Sequence, residues 1–113
     1  MDPSRTEQGT VALRFANALC SGDFSAAHEL LAAPLRERLS QADLSREFTE
    51  MVEYGGSPPD TVEAMNVLDD WPAKQAGDLG WAYVAISGEG FGEGVAVVVT
   101  RDRLIREIEW GRP

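Results

Sequence analysis

The sequence predicts a single α+β domain in which N-terminal helices pack on a curved antiparallel β-sheet. Residues 6–55 carry apolar side chains at helical spacing, and residues 62–110 contain runs rich in valine and isoleucine that are typical of strands. Prolines in the connector 57–60 mark the point where one pattern replaces the other. At 113 residues the chain is close to the commonest domain size, so we expect one domain over residues 1–113.

The first predicted helix covers residues 6–19. Its larger apolar side chains recur at every fourth position and therefore form one stripe along the helix. Gly22 ends this helix, because glycine readily adopts the left-handed conformation found at helix C-termini. The residues of the stripe are Val11, Phe15 and Leu19.

Two more helices are predicted in the first half of the chain. One begins at Asp23, whose carboxylate can cap it, and ends at Pro34, with a short turn from there to Leu39. The other begins with a capping box at residues 40–43 and ends at the glycines 55–56.

The second half of the chain is predicted to form antiparallel strands. The first covers residues 62–68, and the others lie within residues 80–110, where a glycine-rich loop at 88–94 and a tight turn at 101–102 separate them. We interpret the loop as a flexible hairpin connection. It is not a phosphate-binding loop, because its two glutamates would repel phosphate and no helix follows it.

The predicted register gives the sheet two different faces. Val97 pairs with Arg106 across the tight turn and with Val84 across the glycine loop. One face is then aliphatic and should pack against the helices. The other is more apolar than a solvated sheet surface usually is, which predicts a homodimer interface there. The residues of this predicted interface are Trp81, Tyr83, Val98 and Ile105.

Arg106 is the charged side chain that this register directs toward the core. An unpaired guanidinium among aliphatic side chains is costly. Arg106 should therefore meet a helix glutamate or an acidic ligand, or reach solvent at the edge of the sheet. We favour an internal carboxylate as its partner.

Composition excludes several classes of partner and site. The net charge of -9 repels phosphate backbones and anionic lipid headgroups, so we expect neither nucleic acid nor a membrane as a partner. A single cysteine, Cys20, and the lack of a leader or an apolar span favour a cytoplasmic location. No metal or cofactor is expected, because His28 is the only histidine and a lone histidine on an alanine-rich helix is usually structural.

With three N-terminal helices, an early strand and a long C-terminal meander, the chain resembles over nearly its whole length the nuclear transport factor 2-like superfamily, which includes ketosteroid isomerases and polyketide cyclases. The resemblance rests on residues 18–24 (ALCSGDF), on the alanine-rich helix that follows, and on residues 104–110 (LIREIEW). It implies a cone-shaped fold with a pocket between the helices and the concave face of the sheet, and often a homodimer through the other face. The residues that we expect in this pocket are Phe15, Phe48, Arg106 and Trp110.

The resemblance implies no single activity, because this superfamily hosts many reactions and many binding modules. Its isomerases carry a tyrosine on the first helix, which is absent here, and its dehydratases use histidine with aspartate where this chain has only His28. We therefore expect a non-enzymatic domain that binds a small apolar or acidic ligand or another protein. The alternative is an isomerase- or cyclase-type enzyme with Asp69 or Asp78 as general base, which would need a pocket carboxylate with a raised pKa.

Overall fold

The computed structural model describes residues 2–55, 59–89 and 91–110. A short 3-10 helix, Pro3–Arg5, precedes the main elements. The helices are α1 (Glu7–Ser21), α2 (Phe24–Glu29), α3 (Ala33–Arg38) and α4 (Gln41–Gly55), and the strands are β1 (Pro59–Leu68), β2 (Asp78–Gly88), β3 (Phe91–Thr100) and β4 (Ile105–Trp110). In this part of the chain the strands form one antiparallel sheet in the order β1-β2-β3-β4, and the helices pack on it, which confirms the α+β class.

The local signals for helix ends are confirmed. Gly22 has a φ of 78° at the end of α1, and the Asp23 carboxylate accepts a hydrogen bond from the Ala26 amide at the start of α2. Ser40 and Asp43 form the predicted capping box: the Asp43 amide donates to Ser40 Oγ at 3.1 Å, and the Ser40 amide donates to Asp43 Oδ2 at 2.9 Å. These short-range contacts set where three of the helices end or begin.

The segment between α2 and α4 differs from the prediction. We expected one helix up to Pro34, whereas α2 ends at Glu29 and Pro34 lies in the first turn of α3, where its missing amide hydrogen is no loss. The reason is pairing with the sheet. The Ile105 amide donates to Leu30 O at 2.8 Å, and the Ala32 amide donates to Ile105 O at 2.7 Å, so this stretch of backbone is extended beside β4.

The strand register is shifted by two residues from the prediction in both hairpins. Val97 pairs with Ala82 on one side and with Ile108 on the other. Pairing between β2 and β3 continues to Gly88 and Phe91, so much of the predicted glycine loop is strand, and the turn after β3 is longer than two residues. Because side chains alternate with a period of two, a shift by two leaves both faces of β2 and β3 as predicted.

A bulge at the start of β4 moves Ile105 to the other face. Val98 pairs with Glu107, but Val99 pairs with Ile105, so Arg106 is an extra residue in the ladder. Ile105 therefore points inward and is 0% exposed. The prediction that Ile105 lies on the outer face of the sheet is wrong.

Two predicted features fall partly outside the described residues. These are the end of the third predicted helix with its connector, at 55–60, and the middle of the glycine loop, at residue 90. The structure describes α4 up to Gly55 and β1 from Pro59.

The hydrophobic core lies between the helices and the aliphatic face of the sheet. α1 contacts β1, β2 and β3, and α2 packs between α1 and α4. None of the described helices is long and apolar enough to cross a membrane. The largest fully buried apolar side chains include Phe15, Leu19, Leu31, Leu44, Met51 and Ile86.

Candidate functional site

Arg106 meets an internal carboxylate, which confirms that prediction, although the partner lies on the sheet and not on a helix. Its Nε donates to Asp78 Oδ1 at 2.6 Å and its Nη2 donates to Asp78 Oδ2 at 2.7 Å, the bidentate geometry that a guanidinium fork permits. The backbone amide of Gln75 also donates to Asp78 Oδ2, at 2.8 Å. The Asp78 side chain is 1% exposed and the Arg106 side chain is 21% exposed.

This pair keeps Asp78 ionised. The hydrogen bonds from Arg106 hold the pKa of the Asp78 carboxyl below its usual value, against the opposite effect of burial. The same contact raises the pKa of Arg106. Both oxygens of Asp78 are engaged, and its lowered pKa makes the carboxylate a weak base, so it is unsuited to act as a general base near neutral pH. Among the described residues, Asp78 is the only fully buried carboxylate.

The other proposed base, Asp69, has a structural contact as well. It lies in the connection after β1 and is exposed. Its Oδ1 accepts a hydrogen bond from Gln8 Nε2 at 3.0 Å, and Gln8 is 4% exposed. This contact ties the connection to α1 and places Asp69 at the surface, outside any enclosed space.

Two of the aromatic residues expected in a pocket belong to the core. Phe15 is 0% exposed, and its ring centroid lies 6.3 Å from that of Trp110. Phe48 is 8% exposed and lies 6.4 Å from the ring of Phe24. Trp110 is partly exposed, and its indole reaches a cleft at the edge of the core.

This helix–sheet cleft lies where α3 and α4 approach β4, and its volume is about 290 Å³. Its wall is apolar and its rim is charged. Arg38 at the rim is exposed, and no ion pair or hydrogen bond joins its side chain to another described residue. The apolar wall consists of Leu35, Leu39, Ile108 and Trp110, and the charged rim consists of Arg38, Glu47 and Glu107.

A second cleft, here called the outer cleft, lies on the opposite face of the sheet and has a volume of about 190 Å³. Cross-strand pairing aligns Trp81, Val98 and Glu107 in one row, and Glu109 lies in the next. The connection between β1 and β2 adds Trp71 to the lining. The complete lining is Trp71, Ala73, Trp81, Ala96, Val98, Glu107 and Glu109.

Only some residues of the predicted dimer interface are accessible to solvent on the outer face of the sheet. Trp81 and Tyr83 are partly exposed and their rings stack, with centroids 6.4 Å apart and planes 15° apart. Val98 is only 5% exposed, and Ile105 lies in the core. The accessible surface at these positions is therefore mainly aromatic.

His28 and Cys20 have structural surroundings. His28 Nε2 lies 2.8 Å from Leu39 O and 3.2 Å from Arg36 O, so this nitrogen carries the hydrogen and joins α2 to the end of α3. Burial raises the pKa of the Cys20 thiol, which disfavours the reactive thiolate. Within the described ranges, no group of three or more histidine, cysteine, aspartate or glutamate side chains could hold a metal ion.

Sequence reasoning missed the roles of Trp71 and Arg38. Trp71 follows the predicted first strand, and a tryptophan in an otherwise polar connection is a signal that the connection covers an apolar surface. Arg38 was placed in a turn, and only the formation of α3 puts it beside Trp110.

No family model, curated protein or solved structure matches the chain. The resemblance to the nuclear transport factor 2-like superfamily therefore stays a prediction, as does the cone shape. Helices packed on an antiparallel sheet support many activities, so the fold by itself assigns none.

Proposed function

We propose that the chain is a non-enzymatic binding domain whose ligand occupies the helix–sheet cleft. The observation that carries this proposal is an apolar wall around Trp110 with the Arg38 guanidinium, which has no ion-pair partner among the described residues, at its rim. Ligand sites typically combine an apolar lining with a few polar groups that orient the ligand. This combination suits a small amphipathic anion, with its apolar part against Trp110 and its acidic group on Arg38, on the side of the rim away from Glu47 and Glu107.

The size of the cleft restricts the ligand. Its volume of about 290 Å³ is at the lower end of the range of about 300 to 1,000 Å³ for ligand pockets. Its wall joins the core at Trp110, whose ring centroid lies 6.3 Å from that of the buried Phe15. A short acyl or aromatic carboxylate fits these limits better than a sterol-sized ligand.

The enzymatic alternative has less support. A reaction that abstracts a proton next to a carbonyl needs a deprotonated base whose pKa is raised toward the working pH. Asp78 has the opposite character, since Arg106 lowers its pKa and occupies both of its oxygens. Asp69 is exposed and hydrogen-bonded to Gln8.

Two other expectations stay predictions. The homodimer would use the outer face of the sheet, where Trp81 and Tyr83 are partly exposed but Val98 and Ile105 are not. The cytoplasmic location stays a prediction from the sequence pattern.

A binding experiment tests the proposed ligand class. Native mass spectrometry of protein from its own host should show a retained small molecule, and octanoate should shift the indole N–H resonance of Trp110 in NMR spectra. Arg38→Gln should weaken octanoate binding by about threefold or more. Arg14→Gln is the matched control, because Arg14 is exposed on α1 and lines neither cleft.

The proposal fails if octanoate at millimolar concentration leaves the Trp110 resonance unchanged and no small molecule is retained. It also fails if the two arginine variants lose the same affinity, because octanoate would then bind through net charge and not through the cleft.

A further inference from the structure

We propose that the outer cleft binds an organic cation, the ammonium or guanidinium end of a lysine or arginine side chain in a basic segment of a partner protein. This inference goes beyond the proposed ligand site, because it concerns the opposite face of the sheet. It rests on the aromatic walls of the cleft, on its carboxylates and on its size.

The walls of the outer cleft are suited to a cation. Trp71 and Trp81 both line it and both are partly exposed. The face of an indole ring attracts cations more strongly than any other aromatic side chain. Lys74 Nζ already lies 5.9 Å from the centroid of the Trp71 ring, so a cation of the partner would take the free side of this ring or displace Lys74 from it.

Two carboxylates complete the site. Glu107 is 61% exposed, and its only ion pair among the described residues is a long one, 3.6 Å from Arg106 Nη1. Glu109 is exposed and makes no ion pair within the described part of the chain. A cation between the indole rings and these glutamates would be stabilised by cation–π contacts and by ion pairs. The net charge of -9 on the chain would attract it from a distance as well.

The volume of the outer cleft matches one side chain. Its 190 Å³ lie below the range of about 300 to 1,000 Å³ for ligand pockets, so the cleft admits a group as small as the end of one side chain. Ala73, Ala96 and Val98 provide an apolar floor, against which the methylene stem of a lysine or arginine can lie while its charged end reaches the glutamates.

A basic partner fits this surface better than a second copy of the chain. A second copy would bring a further net charge of -9 and, in a symmetric contact, its own Glu107 and Glu109 to the same surface. The burial of Val98 and Ile105 also leaves less apolar area for such a dimer. Charge complementarity therefore favours a cationic occupant.

Glu109 allows the cation site to be tested independently of the ligand site proposed in the helix–sheet cleft. Glu107 lines both clefts, whereas Glu109 and Trp81 line the outer cleft alone. Substitutions at these two positions therefore test the cation site without touching Arg38 or Trp110. Either proposal can fail while the other stands.

The experiment titrates the full chain with an acetylated, amidated hexapeptide of alternating lysine and serine. NMR follows the indole N–H resonances of the three tryptophans, assigned with single Trp→Phe variants. We expect the resonances of Trp71 and Trp81 to shift and that of Trp110 to stay. Glu109→Gln should weaken binding by about threefold or more, and Trp81→Leu by about fivefold or more.

Glu53→Gln is the matched control, because Glu53 is exposed on α4, lines neither cleft and carries the same charge. Equal weakening by Glu53→Gln and Glu109→Gln would overturn the site, because the peptide would then bind through the overall negative charge of the chain. Unshifted Trp71 and Trp81 resonances would also overturn it.

If n-butylammonium bound as tightly as the peptide, the proposed protein partner would be wrong and the ligand would be a small amine. A micromolar dimer that Tyr83→Glu dissociates would show instead that a second copy covers the face.

Discussion

Replacing Arg106 by leucine tests the central electrostatic contact of the fold. The substitution removes the guanidinium fork from Asp78 while keeping an apolar side chain of moderate size beside the core. Asp78, whose side chain is 1% exposed, would keep only the hydrogen bond from the Gln75 amide, at 2.8 Å. We expect the variant to fold but to be clearly less stable.

The size of the loss follows from the burial of the two partners. Breaking a buried ion pair by removing one member costs about 3 to 5 kcal/mol. Because Arg106 is 21% exposed and the Gln75 amide remains, we expect the lower end, about 3 kcal/mol. For a domain of 113 residues, that loss lowers the melting temperature by roughly 13 °C. The double variant Arg106→Leu/Asp78→Leu should recover most of the stability, since no charge is then left buried alone.

The loss should depend on pH in a defined direction. The pKa of Asp78 is lowered in the folded wild type, so its stabilising effect is present above its unfolded pKa of about 3.9 and disappears as pH falls through the folded pKa. In Arg106→Leu, burial without the guanidinium should raise that pKa. The variant then takes up a proton more readily than the wild type, and the difference in unfolding free energy between them should narrow below about pH 5.

Urea denaturation followed by far-ultraviolet circular dichroism measures these differences. Arg46→Leu is the control, because it removes an exposed ion pair, 3.0 Å from Asp43, and should leave the midpoint nearly unchanged. An Arg106→Leu protein as stable as the wild type at neutral pH would refute the reasoning. A deficit that stays constant on acidification would show that lost packing, and not the charge of Asp78, is its cause.

Three further substitutions test local features by the same denaturation assay. Gly22→Ala should lose about 1 kcal/mol from its left-handed backbone alone, because no atom lies within 4 Å of the added Cβ; an unchanged midpoint would contradict this. Gly94→Ala places a methyl group against the phenol of Tyr83 and should lose about 1 to 3 kcal/mol, a loss that must vanish in a Tyr83→Ala background. Ser40→Ala removes the hydroxyl that accepts from the Asp43 amide and should cost about 1 kcal/mol, and a neutral result would mean that water replaces the cap.

Much of this fold could be predicted because its signals are local. The cap at Gly22 and the capping box at Ser40 depend on residues three or four positions apart, so their geometry follows from the sequence alone. The alternation of small and aliphatic residues along β2 and β3 decided which face is buried. That assignment survived an error of two residues in register, because side chains alternate with a period of two.

The residues of the candidate sites depended on contacts that no local pattern contains. Asp78 and Arg106 are 28 positions apart, and a bulge in β4 decides how Arg106 is presented and why Ile105 is buried. The position of a bulge and the strand register depend on the geometry of the turns and on the packing of the whole sheet. Neighbouring registers differ little in energy, so a local sequence pattern does not select one of them.

The clefts show the same division. Composition determined that the chain is strongly acidic, and so which partners it repels. Only the tertiary structure decided that Trp71 joins Trp81 on the outer face and that α3 brings Arg38 to the cleft beside Trp110. The physical reason is that a cleft forms where elements distant in sequence pack imperfectly, and that mismatch depends on the shapes of all the packed side chains together.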